Sequence, residues 1–121
     1  SYTFVSTANA FVLRGAKLVF VDSRKDHPGI DESSIESLIT NKTKAIVPVH
    51  YAGVACDMDI IMDLCVRYGV TLLEDTCESM GSEFRDTKLG TFGLMSSFST
   101  FFGHHLVHLF RCRCECGHAY C

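Results

Sequence analysis

No block of basic residues interrupts the 121-residue chain, and its formal net charge is −3. Nothing offers the run of phosphate contacts on which nucleic-acid binding rests, so no nucleic-acid partner is expected. No apolar run reaches the roughly 18 residues that span a bilayer, so no membrane partner is expected either. No basic-then-apolar leader opens the chain. It begins "SYTFVSTANAF", without an initiator Met, and reads as starting inside a larger protein. There is no P-loop, no dinucleotide fingerprint and no Ser-His-Asp order. Internal repeats and low-complexity segments are absent as well.

What remains has the makeup of one modest domain with one core, at an ordinary 47% hydrophobic content. The 7 cysteines are unevenly spread. Cys56, Cys65 and Cys77 read as small buried hydrophobes in a reducing, cytoplasmic compartment. Cys112, Cys114, Cys116 and Cys121 crowd into residues 106–121, which lack any usable periodicity. With His108 and His118 they offer soft metal ligands. Their spacing is not the paired Cys-x₂₋₄-Cys of a zinc site, and the expectation is no metal. A truncated or frame-shifted end is the preferred account of this tail.

The body of the chain alternates strand and helix signals. "STANAFVLR" (6–14) predicts a short helix with Gly15 behind it. "KLVFVD" (17–22) predicts a strand whose unbroken apolar run implies burial on both faces. "RKDHPGID" is a loop, and Asp31 can cap a helix reaching about residue 39. "AIVPVH" (45–50) predicts the next strand, with Pro48 tolerable only near its end. Asp57 caps a helix through Tyr68, and Gly69 ends it. "VTLLED" (70–75) and "LMSSFST" (94–100) predict two more strands. Elements at this cadence imply an α/β fold with a mostly parallel sheet and flanking helices. In such sheets ligands gather at the carboxyl ends of strands, where Asp75, His50 and Ser99 are expected.

Several of these residues have two readings. Asp75 can bind a ligand at its strand end or merely cap "TCES". Phe4 can stack on a flat ring or fill the core. Ser96, Ser97 and Ser99 suit a phosphate, yet serines are common in loops. His104 and His105 are adjacent, so they diverge on a strand or a helix and make a poor two-ligand metal site. One of the pair can work while its neighbour packs.

Three blocks, "SYTFVSTANAFVLRGAKLVFVD", "TKAIVPVHYAGVACDMD" and "VTLLEDTCESMGSEF…KLGTFGLMSSFS", resemble the StrS/DegT family of nucleotide-sugar aminotransferases in matching order. The resemblance runs from residue 1 to about residue 105. It implies part of the large domain of the aspartate-aminotransferase type fold. It also implies a homodimer that binds pyridoxal 5′-phosphate (PLP) at the subunit interface. Residues 1–105 are then a partial PLP-binding domain, and 106–121 an atypical tail. Carried over, Phe4 takes the place of the aromatic on the cofactor ring. Asp75 takes that of the carboxylate on the pyridine nitrogen. Glu78 falls where many of these enzymes carry Gln near the 3-hydroxyl, and Ser99 on the serine that contacts the phosphate.

One position departs from the aminotransferases. They place a Schiff-base Lys five residues after the second Ser of Ser-Phe-Ser, and here that residue is His104. Imidazole cannot condense with the cofactor aldehyde as a lysine amine does. "GHH" and "EDTCES" look like a subgroup, the sugar 3-dehydratases that use PLP or its amino form, pyridoxamine 5′-phosphate (PMP). These act on a nucleotide-linked 4-keto-6-deoxy sugar. Under that resemblance His104 removes the cofactor C4′ proton, the C3 hydroxyl of the sugar leaves, and His105 gives local support. An aminotransferase of the same family, or a catalytically inactive fragment, is the alternative.

Overall fold

The computed structural model describes residues 3–100. His104, His105 and the cysteine-rich tail lie outside the described residues.

The first helix, α1 (Val5–Val12), starts one residue before its predicted start and ends two before its predicted end. Gly15 lies beyond it at a φ of +78°, with its N–H on the Val12 carbonyl. The second, α2 (Glu32–Leu38), begins where expected, because the Asp31 carboxylate accepts the Ser33 N–H. A short strand, β1 (Ala45–Ile46), follows. The chain then passes Pro48 and makes a 3₁₀ turn at Tyr51–Gly53. Helix α3 (Met58–Tyr68) carries the clearest local code: Asp57 caps Ile60 N–H, and Gly69 closes it in the left-handed conformation. Strand β2 (Thr71–Asp75) comes next, then the hairpin pair β3 (Glu83–Phe84) and β4 (Thr87–Lys88), and finally β5 (Met95–Ser97).

Strands β1, β2 and β5 form a parallel sheet with β2 at its centre. The register sets Ala45 against Thr71, Leu73 against Met95 and Asp75 against Ser97. Pro48 breaks the first ladder but not the contact. Its carbonyl accepts the Asp75 N–H, and the His50 N–H reaches the Asp75 carbonyl. A residue without a donor is tolerated here because only its acceptor is needed.

The core lies between α2, α3 and the sheet. Ile35 from α2 meets Met58, Ile61 and Leu64 from one face of α3, with Ile46 and Leu72 from the sheet beneath. Ile61 is fully buried, so Ile61→Ala is expected to cost about 2–5 kcal/mol, read from chemical denaturation. An unchanged midpoint would mean that α3 is not packed on the sheet.

Residues 17–22 correct the sequence reading. They are not a strand, and Val19 and Phe20 are 60% and 61% exposed. An apolar run specifies a buried strand only when neighbours supply a ladder and two covered faces. Among the described residues no strand pairs with this segment. The β3–β4 hairpin was not predicted at all. Its turn residues, Arg85 and Asp86, both have positive φ, the conformation that two-residue hairpin loops need but one that sequence usually signals with Asn-Gly. The cysteines follow expectation only in part: Cys56 is buried, while Cys65 and Cys77 are half-exposed.

Candidate active site at the end of β2

Asp75 closes the central strand, 6% exposed. Its carboxylate gathers donors from three parts of the chain. Thr7 Oγ1, on α1, donates to Oδ2 at 2.6 Å. Ser97 Oγ, on β5, donates to Oδ1 at 3.1 Å, and the Cys77 N–H donates to the same oxygen at 3.1 Å. Burial alone pushes the carboxyl pKa up. The hydrogen bonds from Cys77, Thr7 and Ser97 together outweigh that and hold it below the usual carboxylate range. Asp75 is therefore an ionised carboxylate. Among the described residues it has no cationic partner, only neutral donors. A buried charge in that state fits a cationic N–H group as its counter-ion.

The other predicted site residues gather unequally around it. Phe4 is the N-cap of α1, one helical turn before Thr7, and is 75% exposed. It does not fill the core, which removes one of its two sequence readings. Ser99 stands two residues past the end of β5, partly buried. Glu78 is already engaged: its Oε2 accepts the Ala52 N–H at 3.0 Å. Ala52 holds a left-handed φ of 52°, uncommon for a residue with a Cβ, so Glu78 pins a strained turn beside the strand ends.

Thr7 was missed, and no local sequence signal marks it. It is one hydroxyl in a short helix, brought to Asp75 across 68 positions of chain by the fold alone. His50 was expected near a strand end and is there, fully buried. Its Nδ1 accepts the Cys56 N–H at 3.2 Å. The proton therefore sits on Nε2, which points at Glu74 Oε2, 3.4 Å away. Burial is the largest influence on this ring and pushes its pKa down, against the pull of Glu74.

The acid response follows from these two groups. A His with a depressed folded-state pKa gives stability that is full above the unfolded value of about 6.5 and lost as pH falls below it. Asp75 behaves likewise below its unfolded value of about 3.9. Melting temperature should thus drop in two stages on acidification. His50→Gln should remove the upper stage and leave the lower one. An upper stage that persists in His50→Gln would assign it to another group.

Comparison with known proteins identifies the framework. The model of the DegT/DnrJ/EryC1/StrS aminotransferase family matches residues 1–110. The chain belongs to this family. A Shewanella sediminis relative, UDP-4-amino-4-deoxy-L-arabinose–oxoglutarate aminotransferase, is 46% identical over 93 residues, covering 77% of this chain and 24% of that protein. Helicobacter pylori PseC, an aminotransferase involved in the biosynthesis of pseudoaminic acid, superposes with a TM-score of 0.78 at 38% identity. The match covers 82% of this chain and 26% of that one. The E. coli GDP-4-keto-6-deoxy-D-mannose-3-dehydratase, with bound hydrated PLP, gives a TM-score of 0.81 at 36% identity, over 86% of this chain and 27% of that one. The chain spans about a quarter of the length of the curated relatives it matches. Its parallel sheet and helices are thus part of the fold that these DegT-family enzymes share. Both aminotransferases and a dehydratase stand among its relatives. No helix among the described residues is long and apolar enough to cross a membrane.

Proposed function

We propose that the full-length protein is a 3-dehydratase that uses PLP or PMP and acts on a nucleotide-linked 4-keto-6-deoxy sugar as a homodimer. The carrying observation is His104, which stands five residues after Ser99 where the family's aminotransferases have their lysine. The described residues support the cofactor half of this reading. Asp75 is a buried, ionised carboxylate without a cation, and a protonated pyridine nitrogen is the partner such a group fits. Phe4, exposed on the turn that brings Thr7 to Asp75, would cover the ring face. Ser99 would donate to the phosphate. Glu78 would stand near the ring's 3-hydroxyl side through the turn it holds.

When bound, the cofactor supplies an electron sink next to the sugar. The remaining work falls to the chain. Asp75 keeps the ring nitrogen protonated, because its own pKa is held low. His104 takes the proton at the cofactor C4′, a task suited to a side chain that titrates near neutral pH. Residues 1–105 serve as part of the PLP-binding domain. The second reading is an aminotransferase, favoured by the 46% identity to the Shewanella enzyme. Mass spectrometry of the sugar after incubation with PMP separates the two. Loss of the C3 hydroxyl without a retained amine supports dehydration. Gain of an amino group at C4 with the hydroxyl in place supports transamination and ends the dehydratase reading.

A further inference from the structure

Glu74 directly precedes Asp75 on β2, so its side chain leaves the opposite face of the strand. It is as buried as Asp75 and has a different set of partners. Its Oε1 accepts the Phe92 and Gly93 N–H groups at 2.8 and 2.7 Å. Its Oε2 accepts the Gly90 N–H at 2.7 Å and faces the His50 ring N–H at 3.4 Å. One carboxylate thereby satisfies three backbone donors of the turn that leads into β5. That turn also packs tightly on β2: a Cβ at Gly93 would stand 2.7 Å from the Leu72 carbonyl oxygen, which accepts the Leu94 N–H at 2.9 Å.

What the turn fixes is the register of β5. With Leu94 tied to Leu72, Met95 pairs with Leu73 and Ser97 falls opposite Asp75. Ser97 then gives its hydroxyl to Asp75, while its carbonyl accepts both the N–H and the hydroxyl of Thr76. A slip of one residue would put Ser96 or Phe98 there and turn every side chain to the other face. Ser99, two residues on, would move with them.

We infer that Glu74 is a positioning residue for the cofactor site: by gathering the 90–93 turn it sets the register that delivers Ser97 to Asp75 and Ser99 to its place. This rests on the reading of Asp75 as the partner of the cofactor ring. A glutamine cannot replace it. If its carbonyl keeps Phe92 and Gly93, its amide meets the Gly90 N–H and the His50 N–H, donor against donor.

The test is PLP titration of the full-length protein by absorbance, across pH, alongside thermal melting. Glu32→Gln is the matched control. Glu32 is an equally buried carboxylate that accepts the Asp57 N–H and pairs with Arg24, away from the strand ends. Glu74→Gln is expected to weaken PLP binding about 10–100-fold, taking as a guide the loss that follows when groups orienting metal-ligating side chains are removed. Its acid limb of binding should also shift to higher pH, because Asp75 loses the Ser97 donor. Glu32→Gln should lower the melting temperature and leave both readouts in place. Ser97→Ala, which keeps the Glu74 network intact, should shift the acid limb in the same direction as Glu74→Gln. If Glu74→Gln only melts earlier, as Glu32→Gln does, the inference is overturned while the cofactor reading stands. If Ser97→Ala leaves the acid limb unmoved, delivery of Ser97 is not what Glu74 does and the inference is overturned, even if Glu74→Gln does not fold. If the wild type takes up no PLP, the cofactor reading fails and the inference with it.

Discussion

Replacing His104 by Asn in the full-length protein is expected to lower turnover by about 10²–10⁴-fold, the contribution of a positioned general base. PLP affinity should stay close to wild type, because on the proposed reading Asp75, Phe4 and Ser99 would still hold ring and phosphate. The separation of the two effects is the informative part. A residue that only packs against the site would disturb binding and turnover together, whereas one that moves a proton disturbs turnover alone. Asn keeps much of the size of imidazole and some of its hydrogen bonding but cannot take up a proton near neutral pH. The same change at His105 should do less. Full dehydration in His104→Asn together with its loss in His105→Asn would assign the base to the other histidine. If neither change matters, the dehydratase reading fails.

Asp75→Asn is the second large effect. The loss is not of a contact but of a charge. The carboxamide of the variant can keep the same neighbours, its oxygen accepting from Ser97 Oγ and the Cys77 N–H and its NH₂ donating to Thr7 Oγ1. A hydrogen bond to a charged group contributes about 1.5–3 kcal/mol, so PLP affinity should fall about 10–150-fold. Turnover at saturating cofactor should fall further still. On the proposed reading the ring nitrogen would then lack the carboxylate that keeps it protonated, and removing one preorganised electrostatic partner costs about 10²–10³ in rate. Equilibrium titration and saturated turnover, measured on the same variant, separate the two losses. If Asp75→Asn binds PLP as wild type does, the buried carboxylate serves the fold alone.

The extent to which the sequence revealed this arrangement depends on where each signal is written. Helix α3 is coded locally, by Asp57 before it and Gly69 after it, and its limits were legible to the residue. The strand that ends in Asp75 was legible too, because a continuous apolar run closed by a carboxylate has few other uses in a parallel sheet. Residues 17–22 carry the same kind of run, yet they form no strand among the described residues, since a ladder needs a partner that the run cannot specify. The supporting groups of the site were the least legible. Thr7 carries no mark in sequence, while Ser97 and Glu74 stand inside the quoted motifs, but what they do for Asp75 and the 90–93 turn shows only when α1, β2 and β5 are brought together. Glu78 shows the converse. Its place beside the site was read from a family motif, but its grip on the strained Ala52 turn is visible only in three dimensions.

On the proposed reading the family's cofactor site carries a histidine in place of the anchoring lysine. Borohydride reduction of the PLP-loaded full-length protein, followed by peptide mass spectrometry, tests it most directly. The wild type should retain no cofactor mass on any peptide, and His104→Lys should retain it on the peptide that contains residue 104. Cofactor mass fixed to a lysine of the wild type would contradict the reading of His104 as standing in for that lysine.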